Sequence, residues 1–395
     1  MNNLRRDFWL TSAALAGLLL AASPVIAQAD GLRPAVATPL QAAERDLSKR
    51  QFAAALKEVG IANAAGDKTA YETLTIERVR AAIDASRQDY AAAAADDAAL
   101  LANGGLAPSE VQTAAEGEAG SDYQAGNYAG AISTIKTYLA GDPQFETILL
   151  QSYLKTGQCG PLAASVNKIS RPPPEADLQM EAFCYNVAKD KAGYTGAIGM
   201  LVAYYPSPDY WAELLGGEQS NPAFADELAL DFFRLKLAAG VPIQEPEVMD
   251  MTQAALQAGL ANEAASIMAQ GYASNALGSG PDADRQTRLK ALVLKRQAAA
   301  DANVPQQIAA ATAAGDELTV FGIGFNQVDG GNAAGLSIMA DAIRSGKLTR
   351  PGQAELELGI AYHEAKQTQN AKAMFRAVQG GDGAAELGKL WMYVR

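Results

Sequence analysis

The chain reads as an all-α protein, a solenoid of about ten helical hairpins stacked along one axis. Three observations predict this. Beyond residue 45 the apolar residues recur at helical spacing, and no run of alternating β-branched residues offers a strand. Alanine supplies 83 of the 395 residues, whereas only 7% are aromatic. Ala55, Ala93, Ala131, Ala197, Ala264, Ala334 and Ala371 form a column whose spacing is one or two multiples of about 35 residues. That period fits two helices and their turns.

The N-terminus is taken first. Residues 1–29 read as an export signal: Arg5 and Arg6 give the positive start, Trp9 to Ala22 the apolar stretch, and Ala27-Gln28-Ala29 the small-x-small cleavage pattern. Cleavage is expected after Ala29, which places the mature chain in the periplasm. Arg5-Arg6-Asp7-Phe8 also resembles a twin-arginine signal, with Leu4 where Ser or Thr is usual, so both export routes stay open. No later segment reaches 18 continuous apolar residues, so no stable membrane insertion is expected once the signal is removed. Residues 30–45 are expected to be a linker. Residues 46–380 carry the repeats, with breaks near 171–175, 206–222 and 278–281, where Pro and Gly cluster. Residues 381–395 are expected to cap the last repeat through Leu387, Leu390, Trp391 and Tyr393.

Packing explains the alanine column. Where two helices of a hairpin cross closely, one contact position must be small. One turn later the helices diverge, and Val59, Ile135, Leu201, Met268, Ile338 and Phe375 are expected to fill the gap. Asp97 breaks this second column after Ala93.

Leu358-Gly359-Ile360-Ala361-Tyr362, then Ala371, Phe375 and Val378, resembles the tetratricopeptide repeat in residue type and spacing. Phe321-Gly322-Ile323-Gly324-Phe325 with Ala334 and Ile338 follows the same pattern, and Gly126 to Pro143 resembles a second helix with its Asp-Pro exit. Tyr204 to Trp211, Leu256 to Leu260 and Asp382 to Leu387 are similar to segments of exported proteobacterial tetratricopeptide-repeat proteins with no assigned biochemistry. The resemblance implies a right-handed superhelix whose first helices line a concave groove. On the last two units the groove positions would be Asp316, Thr319, Ile323, Asn326 and Gln327, then Gln353, Leu356, Ile360, His363 and Glu364. The Asn/Lys/Arg set by which some such repeats clamp a C-terminal carboxylate is missing, so a neutral or basic extended segment is the expected occupant.

Composition excludes several chemistries. His363 is the single His and there are two Cys, too few for a multi-histidine metal site or a zinc cluster, and no metal or cofactor is expected. A net charge of −12 argues against nucleic acid as a partner. Gly322 to Gly331 lacks the Gly-Lys-Ser/Thr of a phosphate loop, and no G-x-S-x-G occurs, so no catalytic residue is assigned. Paired acids (Asp96 with Asp97, Glu116 with Glu118, Glu245 with Glu247) leave a cell-wall hydrolase as the rival reading, and a self-assembling array as a third. In an oxidising compartment Cys159 and Cys184 are expected to pair, the alternative being two buried thiols. Tyr204, Tyr205, Tyr210 and Trp211 form an aromatic cluster, read either as helix-end packing or as a partner patch. The expected function is a non-catalytic scaffold for a protein or peptide partner.

Overall fold

The computed structural model describes residues 31–102, 106–218 and 226–394. Residues 1–29, expected to be an export signal, lie outside the described residues. Among the described residues there are 21 α-helices, one short 3-10 turn and no strand. None of these helices is long and apolar enough to cross a membrane. The chain divides into two compact units, up to Lys191 and from Ala192 onward.

The first unit holds α1 (Pro34–Ser48), α2 (Phe52–Asn63), α3 (Ala70–Ser86), α4 (Tyr90–Ala102), α5 (Pro108–Ala125), α6 (Tyr128–Tyr138), α7 (Pro143–Lys155), α8 (Cys159–Ile169) and α9 (Glu175–Val187). Each helix packs on the next, and α1 also meets α3, as α5 meets α7 and α7 meets α9. Apolar burial is correspondingly local. Val36, Leu40 and Ala43 of α1 pack with Ala55, Val59 and Ala62 of α2 and with Ile76, Val79 and Ile83 of α3. A separate cluster joins Ala115 and Ala119 of α5, Ile135 and Leu139 around α6, and Phe145 and Ile148 of α7. A core strung along the chain in this way is what short helices with one apolar stripe produce when each buries that stripe on its sequence neighbours.

Helix ends follow ordinary chemistry. Thr69 and Glu72 form a reciprocal capping box at α3. Glu72 also takes the Arg33 guanidinium at 2.8 Å, and Arg33 holds its carboxyl down at about 2. Asn127 and Asp142 cap α6 and α7. Gly126, at φ 80°, ends α5 in the left-handed region that glycine adopts without a Cβ penalty. Cys159 and Cys184 form a disulfide joining α8 to α9, with Cα atoms 5.6 Å apart.

The second unit holds α10 (Lys191–Tyr204, entering from the last residue of the first), α11 (Pro208–Glu218), α12 (Ala229–Ala238), α13 (Glu245–Gln257), α14 (Ala261–Ala273), α15 (Ala283–Asp301), α16 (Val304–Ala314), α17 (Glu317–Asp329), α18 (Gly335–Arg344), α19 (Pro351–Glu364), α20 (Thr368–Ala377) and α21 (Ala384–Trp391). Hairpins α13–α14, α17–α18 and α19–α20 pack tightly, and α14 and α19 both meet α17. The last helix, α21, lies on α19 and α20 and also reaches α12, burying Leu387 and Trp391.

Three sequence expectations change. Residues 30–45 are not a linker: α1 begins at Pro34, because Val36, Leu40 and Ala43 already form an apolar stripe. The break at 206–222 contains α11, started by Pro208 at a position where its missing N–H costs nothing. The alanine column holds at Ala55, Ala93, Ala131, Ala197, Ala264 and Ala371, all essentially buried. At the α17–α18 crossing it slips by one residue. Ala334 is exposed, and Gly335 takes the crossing, where a Cβ would strike the Gly324 carbonyl oxygen. The next position slips with it, so Met339 is fully buried and Ile338 is not.

Asp97 has a distinct solution. Its carboxyl lies against Gly117 of α5, where a Cβ would come within 2.5 Å of Oδ2. Burial, then the charges of Asp96 and Glu118, push Asp97 up to about 7. A glycine on the facing helix thus makes room for a carboxyl where the other hairpins place a large apolar side chain.

Candidate functional site

The second unit is organised around a buried arginine. Arg234 lies in the middle of α12, within the mostly apolar stretch Ala-Leu-Asp-Phe-Phe-Arg-Leu-Lys-Leu-Ala, and its side chain is 4% exposed. Its Nε and Nη2 donate to the two carboxylate oxygens of Glu263 on α14, both at 2.7 Å. Nη1 donates to Asp231 one turn earlier at 2.6 Å and to Glu357 of α19 at 3.4 Å. The guanidinium carbon stands 4.4 Å from the centroid of the Phe325 ring of α17. The planar fork therefore meets a bidentate carboxylate and an aromatic face, a set that suits arginine and not lysine.

The contacts continue toward the start of α19. Gln353 Nε2 donates to the Glu227 carbonyl at 3.2 Å and to Asp231 Oδ2 at 3.1 Å, and Arg350 pairs with Glu227. The separations between partners are nearly constant, 123 residues for Arg350 with Glu227, 122 for Gln353 with Asp231 and 123 for Glu357 with Arg234. Segment 227–234 and α19 therefore run parallel, in register.

Acids outnumber the single guanidinium. Asp231, Glu263 and Glu357 touch it, while Asp329 of α17 and Glu364 of α19 lie just beyond, close enough to each other that each shifts the other's carboxyl. Burial pushes Glu357 up to about 8, with the Asp231 charge adding and Arg234 opposing. Burial raises Asp231 and Glu364 as well, and holds Asp329 well above the usual carboxylate range, with Glu364 contributing. The carboxylates, Glu263 foremost, outweigh burial and hold Arg234 well above its ordinary value.

The ten residues expected to line a groove are not brought together on one free face. Leu356 and Ile360 are fully buried, and Asn326 is 3% exposed. Asn326 Oδ1 accepts from the Asn262 backbone N–H at 2.8 Å, satisfying an orphan donor in the first turn of α14. Asp316 caps α17, accepting from the Thr319 N–H at 3.0 Å and its hydroxyl at 2.7 Å, which lower its carboxyl. Gln327 accepts from Asn332 in the following turn, and Ile323 is half-buried. His363 stacks edge-on against Trp391 of α21 at 5.3 Å, and burial lowers its imidazole. Gln353 and Glu364 do join the arginine cluster. The face of α19 that matters runs through Gln353, Glu357 and Glu364 and bypasses Leu356 and Ile360.

The aromatic cluster also divides. Trp211 is 3% exposed and belongs to the core, whereas Tyr204 is 38% exposed. Tyr205 and Tyr210 are half-buried. Sequence reasoning missed Arg234 altogether. The available signal was a charged pair at i, i+3, Asp231 and Arg234, flanking Phe232 and Phe233 in a mostly apolar helix.

No protein-family model matches this sequence, and comparison with curated proteins and with solved structures returns no similar chain.

Proposed function

We propose that the chain is an exported, periplasmic scaffold of tetratricopeptide type that binds a protein or peptide partner and carries out no chemistry. The observation that carries the reading is the packing of alternate helices. In the first unit α5, α7 and α9 touch in succession while each also packs on its sequence neighbours. Repeats built this way turn the same side of every first helix in one direction, and such a side is suited to an extended or helical partner. The small residues buried at the crossings of the even-numbered helices, and Gly359 against Phe375, support the same reading.

Photo-crosslinking in the periplasm tests it, with the probe placed in turn on odd- and even-numbered helices. A partner captured from odd-numbered positions alone is the expected result. Capture from neither set, or equally from both, counts against a groove-binding scaffold. Release of muropeptides from peptidoglycan, lost on Glu357→Gln or Asp97→Asn, would overturn the non-catalytic part. Cell fractionation tests the location.

A further inference from the structure

We propose that the open cleft between α13 and α15 docks an acidic amphipathic helix of a partner, which lays an apolar side chain in the cleft and carboxylates against Arg285 and Arg288. The inference rests on the scaffold reading, since α13 and α15 are both odd-numbered helices, and it names the chemistry that the partner presents.

The helix α15 is sparsely covered: of its 19 residues only Gln286 and Val293 are buried. It packs chiefly on α14, while α13 and α17 touch it more lightly. Between α13 and α15 lies a cleft of about 240 Å³, lined by Met249 and Gln253 from α13 and by Arg285, Arg288, Leu289 and Leu292 from α15. That is below the roughly 300–1,000 Å³ of a small-molecule pocket, and it suits a side chain or two of another chain. Met249 is buried and Leu289 half-buried, so the floor is apolar, whereas Arg285, Arg288 and Leu292 are exposed at the mouth. With Arg296 these three stand at i, i+3, i+7 and i+11, one face of a helix and the spacing along which a second helix packs.

Charge decides what kind of helix enters. Against Asp284 and Asp301, α15 carries Arg285, Arg288, Lys290, Lys295 and Arg296, in a chain whose net charge is −12. Elsewhere arginines stand on a carboxylate of another element, Arg33 on Glu72, Arg78 on Glu110 and Arg80 on Asp96. Among the described residues Arg285 and Arg288 have no such partner, although acids outnumber cations in the chain. One helical turn apart, with Cβ atoms about 5–6 Å from each other, the two guanidiniums can each take a carboxylate bidentately. The local charge therefore sets the sign of the partner, opposite to what the net charge of the whole chain suggests. Lys290, by contrast, is engaged within the chain, its ammonium 4.3 Å from the centroid of the Tyr272 ring. A membrane surface fits less well. The exposed Leu292 and Leu294 are two residues apart and so about 200° apart round the helix. They share no apolar face that could lie in a bilayer, and a flat surface would not fill the cleft.

The test uses the full chain and a fluorescein-labelled peptide, two copies of Glu-Leu-Glu-Glu-Leu-Ala-Glu, followed by anisotropy. The wild-type chain should bind it saturably, and Arg285→Gln with Arg288→Gln should weaken binding about ten-fold or more. Leu292→Ser should weaken it as well. Lys290→Gln with Lys295→Gln removes the same charge away from the cleft and should leave binding within about two-fold of wild type. All five positions are exposed, so folding is not at stake in these variants. No saturable binding, or equal weakening by the two double variants, overturns the proposal. Co-sedimentation with phosphatidylglycerol vesicles, lost in the arginine variant, would make a membrane the occupant and overturn it too. A partner crosslinked to odd-numbered helices of the first unit, with no peptide bound, would defeat this proposal alone. Peptide binding without any crosslinked partner would defeat the scaffold reading alone.

Discussion

Raising the pH should loosen the second unit, and Glu357 is the residue through which the effect is best worked out. Its carboxyl moves from an ordinary 4.5 to about 8 in the folded chain, chiefly through burial. A folded-state value above the unfolded one means that the native state binds the extra proton. The associated stability is fully present below about pH 4.5 and is lost as the pH rises through about 8. At 1.36 kcal/mol per pH unit the loss by pH 9 is on the order of 4 kcal/mol. The groups facing Glu357 act in the same sense or stay fixed. Asp231 on α12, Asp329 on α17 and Glu364 on α19 are also raised, while Arg234 remains charged throughout. Glu263 on α14 completes the set, with Gln353 neutral and the Glu227–Arg350 pair at the rim. Urea unfolding at pH 5 and pH 9 reads the effect, with Glu357→Gln as the comparison. The wild-type chain should lose stability between the two, and the variant, neutral at position 357 at both values, should lose less, keeping only the share of Asp231, Asp329 and Glu364. Equal stability of the wild-type chain at both values, or an equal drop in both chains, would refute the reasoning.

Two further outcomes follow from packing and cross-linking. Gly359→Ala should destabilise by about 1–3 kcal/mol, since its Cβ would lie 2.6 Å from Phe375 Cε1, whereas Gly199→Ala, with nothing within 4 Å, should be neutral or stabilising by up to about 1 kcal/mol. Thermal melts of the two variants side by side check both. Reducing Cys159–Cys184, which closes a 25-residue separation, should lower the stability of the first unit by about 3 kcal/mol, read from urea unfolding with and without reductant.

How much of this was legible in the sequence depends on the range of the interaction. Hairpin crossings are local, so six alanines of the column lie buried where spacing put them. At Ala334 the column failed by one residue because Gly335 and Gly324 allow backbone to approach backbone, a choice that periodicity does not register. Helix α1 was missed because its apolar stripe starts only two residues after Pro34, inside a stretch dominated by alanine and polar residues. The face of α19 was misread for a different reason. Whether Leu356 or Glu357 matters depends on a helix more than 120 residues earlier in the chain, and no local pattern encodes that pairing. Asp97 lay between these cases: its break in the column was visible, and its accommodation by Gly117 was not.

Hydrogen exchange across the second unit tests the central claim most directly, by comparing the wild-type chain with Arg234→Met. Removing one partner of a buried ion network leaves the others uncompensated, a loss of about 3–5 kcal/mol. If Arg234 anchors α12 to a frame that α14, α17 and α19 build among themselves, the amides of α12 should lose protection in the variant while those of α17 and α19 keep theirs. Simultaneous loss of protection in α12, α17 and α19 would make Arg234 an integral core residue and contradict the account, as would full retention of protection in α12.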